Sequence, residues 1–247
     1  MDAIHIVIEM RLGTGSNISF IEMPIVVSYR NRLKQLMKKS NLYNYYRFST
    51  IGNIRMNTET RIEHLKDKLL SDVFLEGRGL GNEIPFWIFD YPPEDEHLVR
   101  HSIKRIEEIL KSNSINFIEI DLYELCLEII DSKIKFEKVI EFEKKRGSDE
   151  LLKKLRIILK QDTVKKVITR RLSVCGNVEV VFLTGIGKAW PMIRSHSILN
   201  NLQPVWGNTP LLAFYPGVYN NTELNLFGKF EDGNYYRAFR IINEEEA

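Results

Sequence analysis

Apolar residues along this chain follow two rhythms. Short, dense runs recur at residues 85–91 (PFWIFDY), 180–183 (VVFL) and 210–215 (PLLAFY), while residues 116–122 (NFIEIDL) alternate apolar with polar positions. Dense runs of this length predict strands covered on both faces, and alternation predicts a strand with two unlike faces. Longer stretches of helical period lie between them. Ile62, Leu65, Leu69 and Val73 form one apolar stripe, opened by a Thr60–Glu63 capping box. Pro92 and Pro93 end the first run. Pro93 with Glu94, Asp95 and Glu96 suits a helix start, and that helix turns Leu98, Ile103, Ile106 and Leu110 inward. Residues 123–130 continue as helix, and residues 133–171 read as two or three amphipathic helices broken near Gly147–Ser148 and Asp162. After the run at 180 come a glycine-hinged loop (Gly185, Gly187, Lys188) and a helix opened by Pro191. That helix faces the core with Met192, Ser195, Leu199 and Leu202. Residues 226–242 predict a hairpin with its turn at Asp232–Gly233. This alternation predicts a three-layer α/β domain with a mostly parallel sheet, helices on both faces and a C-terminal β-hairpin.

Residues 1–55 break the pattern. They carry Arg30, Arg32, Lys34, Tyr43, Tyr45, Tyr46 and Arg47, and after Asp2 their acids are Glu9 and Glu22. Segments 4–9 and 25–29 suit strands and 31–39 a short helix, with no period tying them to the rest of the chain. The segment reads either as an N-terminal extension or as an overlong gene start, with translation beginning at Met56; the second is favoured. The expected division is therefore an extension at 1–55 and an α/β domain at 56–247.

The chain has 247 residues, 44% hydrophobic and 28% charged, with a formal net charge of +2, an ordinary globular balance that names no partner. Two cysteines, Cys126 and Cys175, are too few to build a zinc site unaided, and nothing marks a secreted disulfide framework. No apolar run approaches the ~20 residues of a membrane span, and the opening residues lack a basic n-region. A cytoplasmic protein without membrane attachment is expected.

The turn at 185–188 has the outline of a phosphate cradle. A Walker A loop needs G-x-x-x-x-G-K-[ST], whose glycines turn backbone N–H groups onto phosphate while the lysine neutralises charge and the hydroxyl holds Mg²⁺. Gly187–Lys188 follow a strand as required, but Phe182 stands at the first glycine, Ala189 at the hydroxyl, and Pro191 removes an N–H. The reading is a degenerate P-loop-like core without a Walker A, its glycines serving a tight turn, and no cofactor is expected. The glycine-rich stretch 77–83 (GRGLGNE) precedes a strand instead of following one and reads as an entry loop.

Other chemistry is similarly incomplete. His97 and His101 have chelate spacing, yet Leu98 stands where a zinc protease has Glu and no third ligand is evident, so no metal site is expected. Ser195-His196-Ser197 sits within a helix and nothing resembles a nucleophile elbow. No catalytic residue is assigned. Asp90, Glu119 and Asp121 lie at strands, where Asp90 with Asp121 is the pair a Mg²⁺-dependent nucleotidase or nuclease would use; capping and turn roles are favoured. Lysines and arginines of 133–171, Lys153 and Lys154 among them, are interleaved with acids and suit solvated helix faces, with DNA contact the alternative. His196, Asn200 and Gln203 form a polar row, with Arg194 and Asn201 further round. Such donors suit recognition of a protein or an anion, or the capping of nearby loops. Lys188, Trp190, Arg194, Trp206 and Tyr219 complete the candidate interaction residues, with the core the other home for both tryptophans.

Four blocks carry a family resemblance: 80–96 (LGNEIPFWIFDYPPEDE), 116–130 (NFIEIDLYELCLEII), 180–204 (VVFLTGIGKAWPMIRSHSILNNLQP) and 226–240 (LFGKFEDGNYYRAFR). In this order and spacing they resemble the BrxB family, a core component of bacteriophage exclusion (BREX) defence. The resemblance covers 56–242, and family members begin near the position of Met56. It implies a cytoplasmic prokaryotic protein that helps block phage propagation without catalytic residues of its own. The role it implies is a structural interaction subunit, docking a PglZ-type alkaline-phosphatase-like protein and other BREX components. The alternatives are a DNA-binding accessory module and a degenerate Mg-dependent nucleotidase or nuclease; a homodimer is compatible with each.

Overall fold

The computed structural model describes residues 57–76, 84–228, 230–231 and 238–242. The expectations for residues 1–55, for the loop at 77–83 and for the Asp232–Gly233 turn lie outside the described residues. The chain divides into two compact units. The larger joins Met56–Ile130 to Arg156–Ala247, and the described part of the smaller is Asp131–Leu155.

The larger unit opens with α1 (Thr58–Leu69) and a single turn, α2 (Asp72–Leu75). The cap of α1 is Asn57, whose side chain accepts from Glu59 N at 2.7 Å, and not the Thr60–Glu63 box. Glu63 turns instead to Lys66. Ile62, Leu65 and Leu69 are buried as expected, while Val73 lies beyond the helix and is exposed. Strand β1 (Phe86–Tyr91) is buried throughout. A 3₁₀ turn at Pro93–Asp95 leads into α3 (Glu96–Ser112), whose Val99, Ile103, Ile106 and Leu110 face inward and leave Leu98 half-buried.

Strand β2 (Phe117–Asp121) runs directly into α4 (Leu122–Lys133). The basic stretch then forms three helices: α5 (Phe136–Arg146), α6 (Ser148–Ile158) and α7 (Gln161–Cys175), with breaks at Gly147 and at residues 159–160, the second just ahead of Asp162, which sits in the first turn of α7. Within the smaller unit, Glu143 accepts from Ser148 Oγ at 2.7 Å and Lys154 lies over the Phe142 ring. Strand β3 (Val180–Thr184) follows, then the short α8 (Ile186–Ala189) and α9 (Ser195–Leu202). Pro191 does not open the second helix. It follows a cis peptide bond, and three residues, Met192 to Arg194, pass before α9 begins. Strand β4 (Leu211–Tyr219) runs through Pro216–Gly217, which were expected to close it.

The strands assemble in the order β2-β3-β4-β1, all parallel, with the two-residue β7 (Phe239–Arg240) parallel to β1 on its far side. Strand β5 (Leu224–Leu226) turns back antiparallel on β4, and β6 (Phe230–Glu231) pairs antiparallel with β5. The segments flanking the expected C-terminal turn therefore pair with β5 and with β1. The observed hairpin is β4–β5, closed by Asn220, whose side chain accepts from Glu223 N at 2.6 Å and from Thr222 N.

Crossing from β1 to β2 runs opposite to the later steps through β3 to β4. Right-handed connections therefore put α3 on one face of the sheet and α4, α7 and α9 on the other. On the first face α1 and α3 cover a cluster that includes Trp87, Phe89, Phe182 and Phe214. This mostly parallel α/β architecture agrees with the expected class. No helix among the described residues is long and apolar enough to cross a membrane.

Candidate functional site

Partners of an open parallel sheet gather at the carboxyl ends of its strands. Here that edge holds two clusters of charge.

The first is built on the turn after β3. Gly185 takes φ +68° and caps α8, accepting from Ala189 N at 3.0 Å. A methyl group on Gly185 would overlap Asp121 Oδ1 and lie 2.6 Å from Asp121 Cγ. Gly187 is also hemmed in, with Pro216 Cγ 2.9 Å from where its Cβ would be. Asp121 ends β2 and caps α4, its Oδ1 accepting from Tyr123 N at 2.9 Å and Glu124 N at 3.1 Å. Its Oδ2 accepts from Lys188 Nζ at 2.6 Å, and Arg100 approaches the same oxygen at 3.9 Å. The Lys188 ammonium also lies over the Tyr123 ring, 5.3 Å from its centre. The lysine of the cradle thus grips a carboxylate of its own chain. Alongside, Thr184 Oγ1 donates to Glu119 at 2.6 Å.

The second cluster surrounds Asp90 on β1. Its carboxylate is fully buried and accepts from Arg61 at 2.9 Å, from Tyr219 N at 3.0 Å and from Arg240 at 3.3 Å. Arg61 also donates to Asp90 O at 2.6 Å and lies over the Phe89 ring, while Arg240 donates to Tyr219 O. An unpaired buried carboxylate would cost several kcal/mol, so these partners are what permit an acid inside an apolar strand. Arg61 and Arg240 carry no motif. The signal for them was Asp90 itself, the lone charge in a run of buried residues. Asp90 and Asp121 do not converge on a shared ion. Their strands are separated by β3 and β4, about 14 Å at the spacing of sheet strands. Among the described residues no group of three His, Cys, Asp or Glu side chains is placed to hold a metal.

Known proteins share this arrangement of sequence. A family model described as BREX protein BrxB matches residues 118–241, from within β2 into β7. A BREX protein BrxB of Bacillus cereus (strain H3081.97) is 46% identical over 189 residues, covering 74% of this chain and 97% of the relative. Another, from Escherichia coli O9:H4 (strain HS), is 36% identical over 184 residues, covering 74% of this chain and 91% of the relative. The chain belongs to the BrxB family. It is thus a BREX component with a role in that phage defence. No solved structure matches it.

The remaining candidate residues of this BrxB chain separate by burial. Tyr219 is fully buried, its hydroxyl donating to Ala238 O at 2.8 Å. Trp206 is buried against Phe86, and its Nε1 donates to Thr209 O at 2.7 Å. Both serve the core, and their burial removes them from an exposed docking surface. Trp190 is half-buried, edge-on to Phe227. Arg194 and Asn200 are exposed and Gln203 is half-buried, whereas the side chain of His196 lies outside the described residues. Ser195-His196-Ser197 lies within α9 as expected, forming its first turn. Asn201 joins α9 to Gln161 of α7 through a 2.6 Å hydrogen bond. His97 and His101 are both exposed on α3. Neither cysteine forms a disulfide; Cys175 is exposed, and burial pushes the Cys126 thiol up to about 12.

Proposed function

We propose that this BrxB chain serves BREX as a non-catalytic docking subunit whose direct partner is the PglZ-type alkaline-phosphatase-like component. One observation carries the reading: the carboxylate of Asp121 fills the turn that would cradle phosphate, 2.6 Å from Lys188. A bound triphosphate would have to displace a carboxylate that also caps α4, and would meet negative charge at close range. The Asp90 carboxylate is likewise committed, to Arg61 and Arg240, which weakens the nucleotidase and nuclease alternative. The sheet edge then acts as scaffold, and the half-buried Trp190 and exposed Arg194 that follow α8, with the exposed Asn200 of α9, form the docking patch. Aromatic and arginine anchors dominate the energy of protein interfaces.

The test is recovery of tagged full-length chain from a host carrying the complete defence locus. The alkaline-phosphatase-like component is expected in the eluate, and Trp190→Ala with Arg194→Ala is expected to lower its recovery about tenfold or more, the scale of interface anchors. Failure to recover that component would overturn the docking reading. Mg²⁺-dependent hydrolysis of ATP or DNA that is lost in Lys188→Ala would overturn the non-catalytic one.

A further inference from the structure

Between α8 and α9 the chain runs from Trp190 to Arg194, the stretch that carries both anchors of the docking patch. Anchors on a connecting segment bind well only if that segment keeps one shape, because freedom lost on docking subtracts from affinity. Three things fix this segment. Ala189 O accepts from Met192 N at 2.9 Å and from Ile193 N at 3.3 Å. Met192 and Ile193 are buried, and Trp190 stands edge-on to Phe227. The third contact comes from 35 residues upstream. Arg156, in the last turn of α6, donates to Pro191 O from Nε at 3.2 Å and from Nη2 at 3.1 Å. The side chain of Arg156 is exposed, and its neighbours in helical spacing offer it no acid: Leu152 and Lys153 precede it, and Leu159 and Lys160 follow. Among the described residues its polar contacts both go to Pro191 O. Two N–H groups of one planar guanidinium on one oxygen fix direction as well as distance, which a single ammonium donor does not.

We infer that Arg156 is a positioning residue for docking: its fork fixes Pro191 O and so holds Trp190 before it and Arg194 after it in the shape the partner meets. This role presupposes the docking reading above and adds to it a residue outside the patch. An exposed fork contributes little to global stability, so its loss loosens the segment and leaves the fold in place. Docking then draws on the fraction of molecules that hold the ordered shape, and apparent affinity falls by that fraction.

Two readouts on the full chain test the role. In a host carrying the complete defence locus, Arg156→Ala is expected to lower recovery of the alkaline-phosphatase-like component about fivefold to tenfold, the scale of ordering a few interface side chains, with the urea midpoint unchanged. Arg156→Lys keeps the charge without the fork and should fall nearly as far. In a Trp190→Ala background, Arg156→Ala should lower recovery by a smaller factor than in wild type, because less remains for it to position. Without any partner, acrylamide quenching of tryptophan fluorescence reports on Trp190, since Trp87 and Trp206 are buried. Quenching should rise in Arg156→Ala and in Arg156→Lys. A wild-type chain that recovers no component overturns the docking reading and this role together. Recovery by wild type and by Arg156→Ala alike overturns this role alone, as does unchanged quenching or an Arg156→Lys chain that docks like wild type. Equal factors in the two backgrounds would make Arg156 a direct contact, and a urea midpoint that falls along with recovery would make it a structural one; either result overturns the positioning role.

Discussion

Gly185 and Asp121 show how closely one residue can dictate another. Gly185 needs its positive φ, and it needs the absence of a Cβ because the Asp121 carboxylate occupies that space. Alanine there incurs the left-handed cost of about 1 kcal/mol and displaces a carboxylate that caps α4 and holds Lys188. Gly185→Ala is therefore expected to destabilise the chain by about 2–4 kcal/mol in urea unfolding. In an Asp121→Ala background the same substitution should cost only about 1 kcal/mol, because the clash is gone. Equal costs in the two backgrounds would show that the carboxylate does not fill the turn. Asp90 makes the complementary case. Arg61→Met leaves its buried carboxylate with one arginine fewer, for an expected loss of about 3–5 kcal/mol. A loss below about 1 kcal/mol would mean that water reaches Asp90, contrary to its burial.

Elements were legible wherever period and covering agreed. The runs at 85–91, 116–122 and 180–183 became β1, β2 and β3, and breaks at Gly147 and at residues 159–160, close to Asp162, separated α5, α6 and α7. Misreadings came from local signals that tertiary contacts override. Pro216–Gly217 looked like a stop, but β4 continues past them because β5 turns back to pair with its last residues, Gly217 to Tyr219. Pro191 looked like a helix opening, but it comes after the end of α8. Thr60 and Glu63 matched a capping box, yet Asn57 stands one residue before the first helical position and wins the bond. That last correction is measurable. Asn57→Ala is expected to cost about 1 kcal/mol, and Thr60→Ala, on an exposed face, less than about 0.5 kcal/mol. The reverse order in thermal unfolding would restore the box. The candidate site was half legible: the glycines and Lys188 were visible as a near miss for phosphate. The reason for the miss, a carboxylate more than sixty residues upstream in the sequence, becomes evident only when β2 and β3 lie side by side.

At the scale of the molecule, strand order was the part the chain concealed. Hydrophobic period distinguishes strand from helix, but nothing in it places β1 between β4 and β7, or carries Arg61 and Arg240 from distant parts of the chain to one carboxylate. The order makes β3, β4 and β1 interior strands, and the larger unit accordingly buries ionisable groups around them. Three of these bear on alkaline stability. Burial pushes Tyr91 well above its ordinary range, with Glu96 adding to it; burial raises Tyr123, with Glu124 and Asp121 adding; and burial raises Cys126 to about 12. Each is held neutral in the folded chain, whereas in the unfolded chain a thiol ionises near 8.5 and a phenol near 10. The unfolded state therefore loses its proton first, so the stabilisation is fully present below about pH 8.5 and drains away as pH rises. Between about pH 9 and pH 10 the thiol dominates, at a slope approaching 1.4 kcal/mol per pH unit. Urea midpoints should be level from about pH 7 to pH 8 and then fall. Cys126→Ala should begin from a lower midpoint, because it removes a fully buried sulfur and leaves a small cavity, but should decline less steeply over that interval. Parallel declines in wild type and variant would place the alkaline loss elsewhere than at the buried thiol.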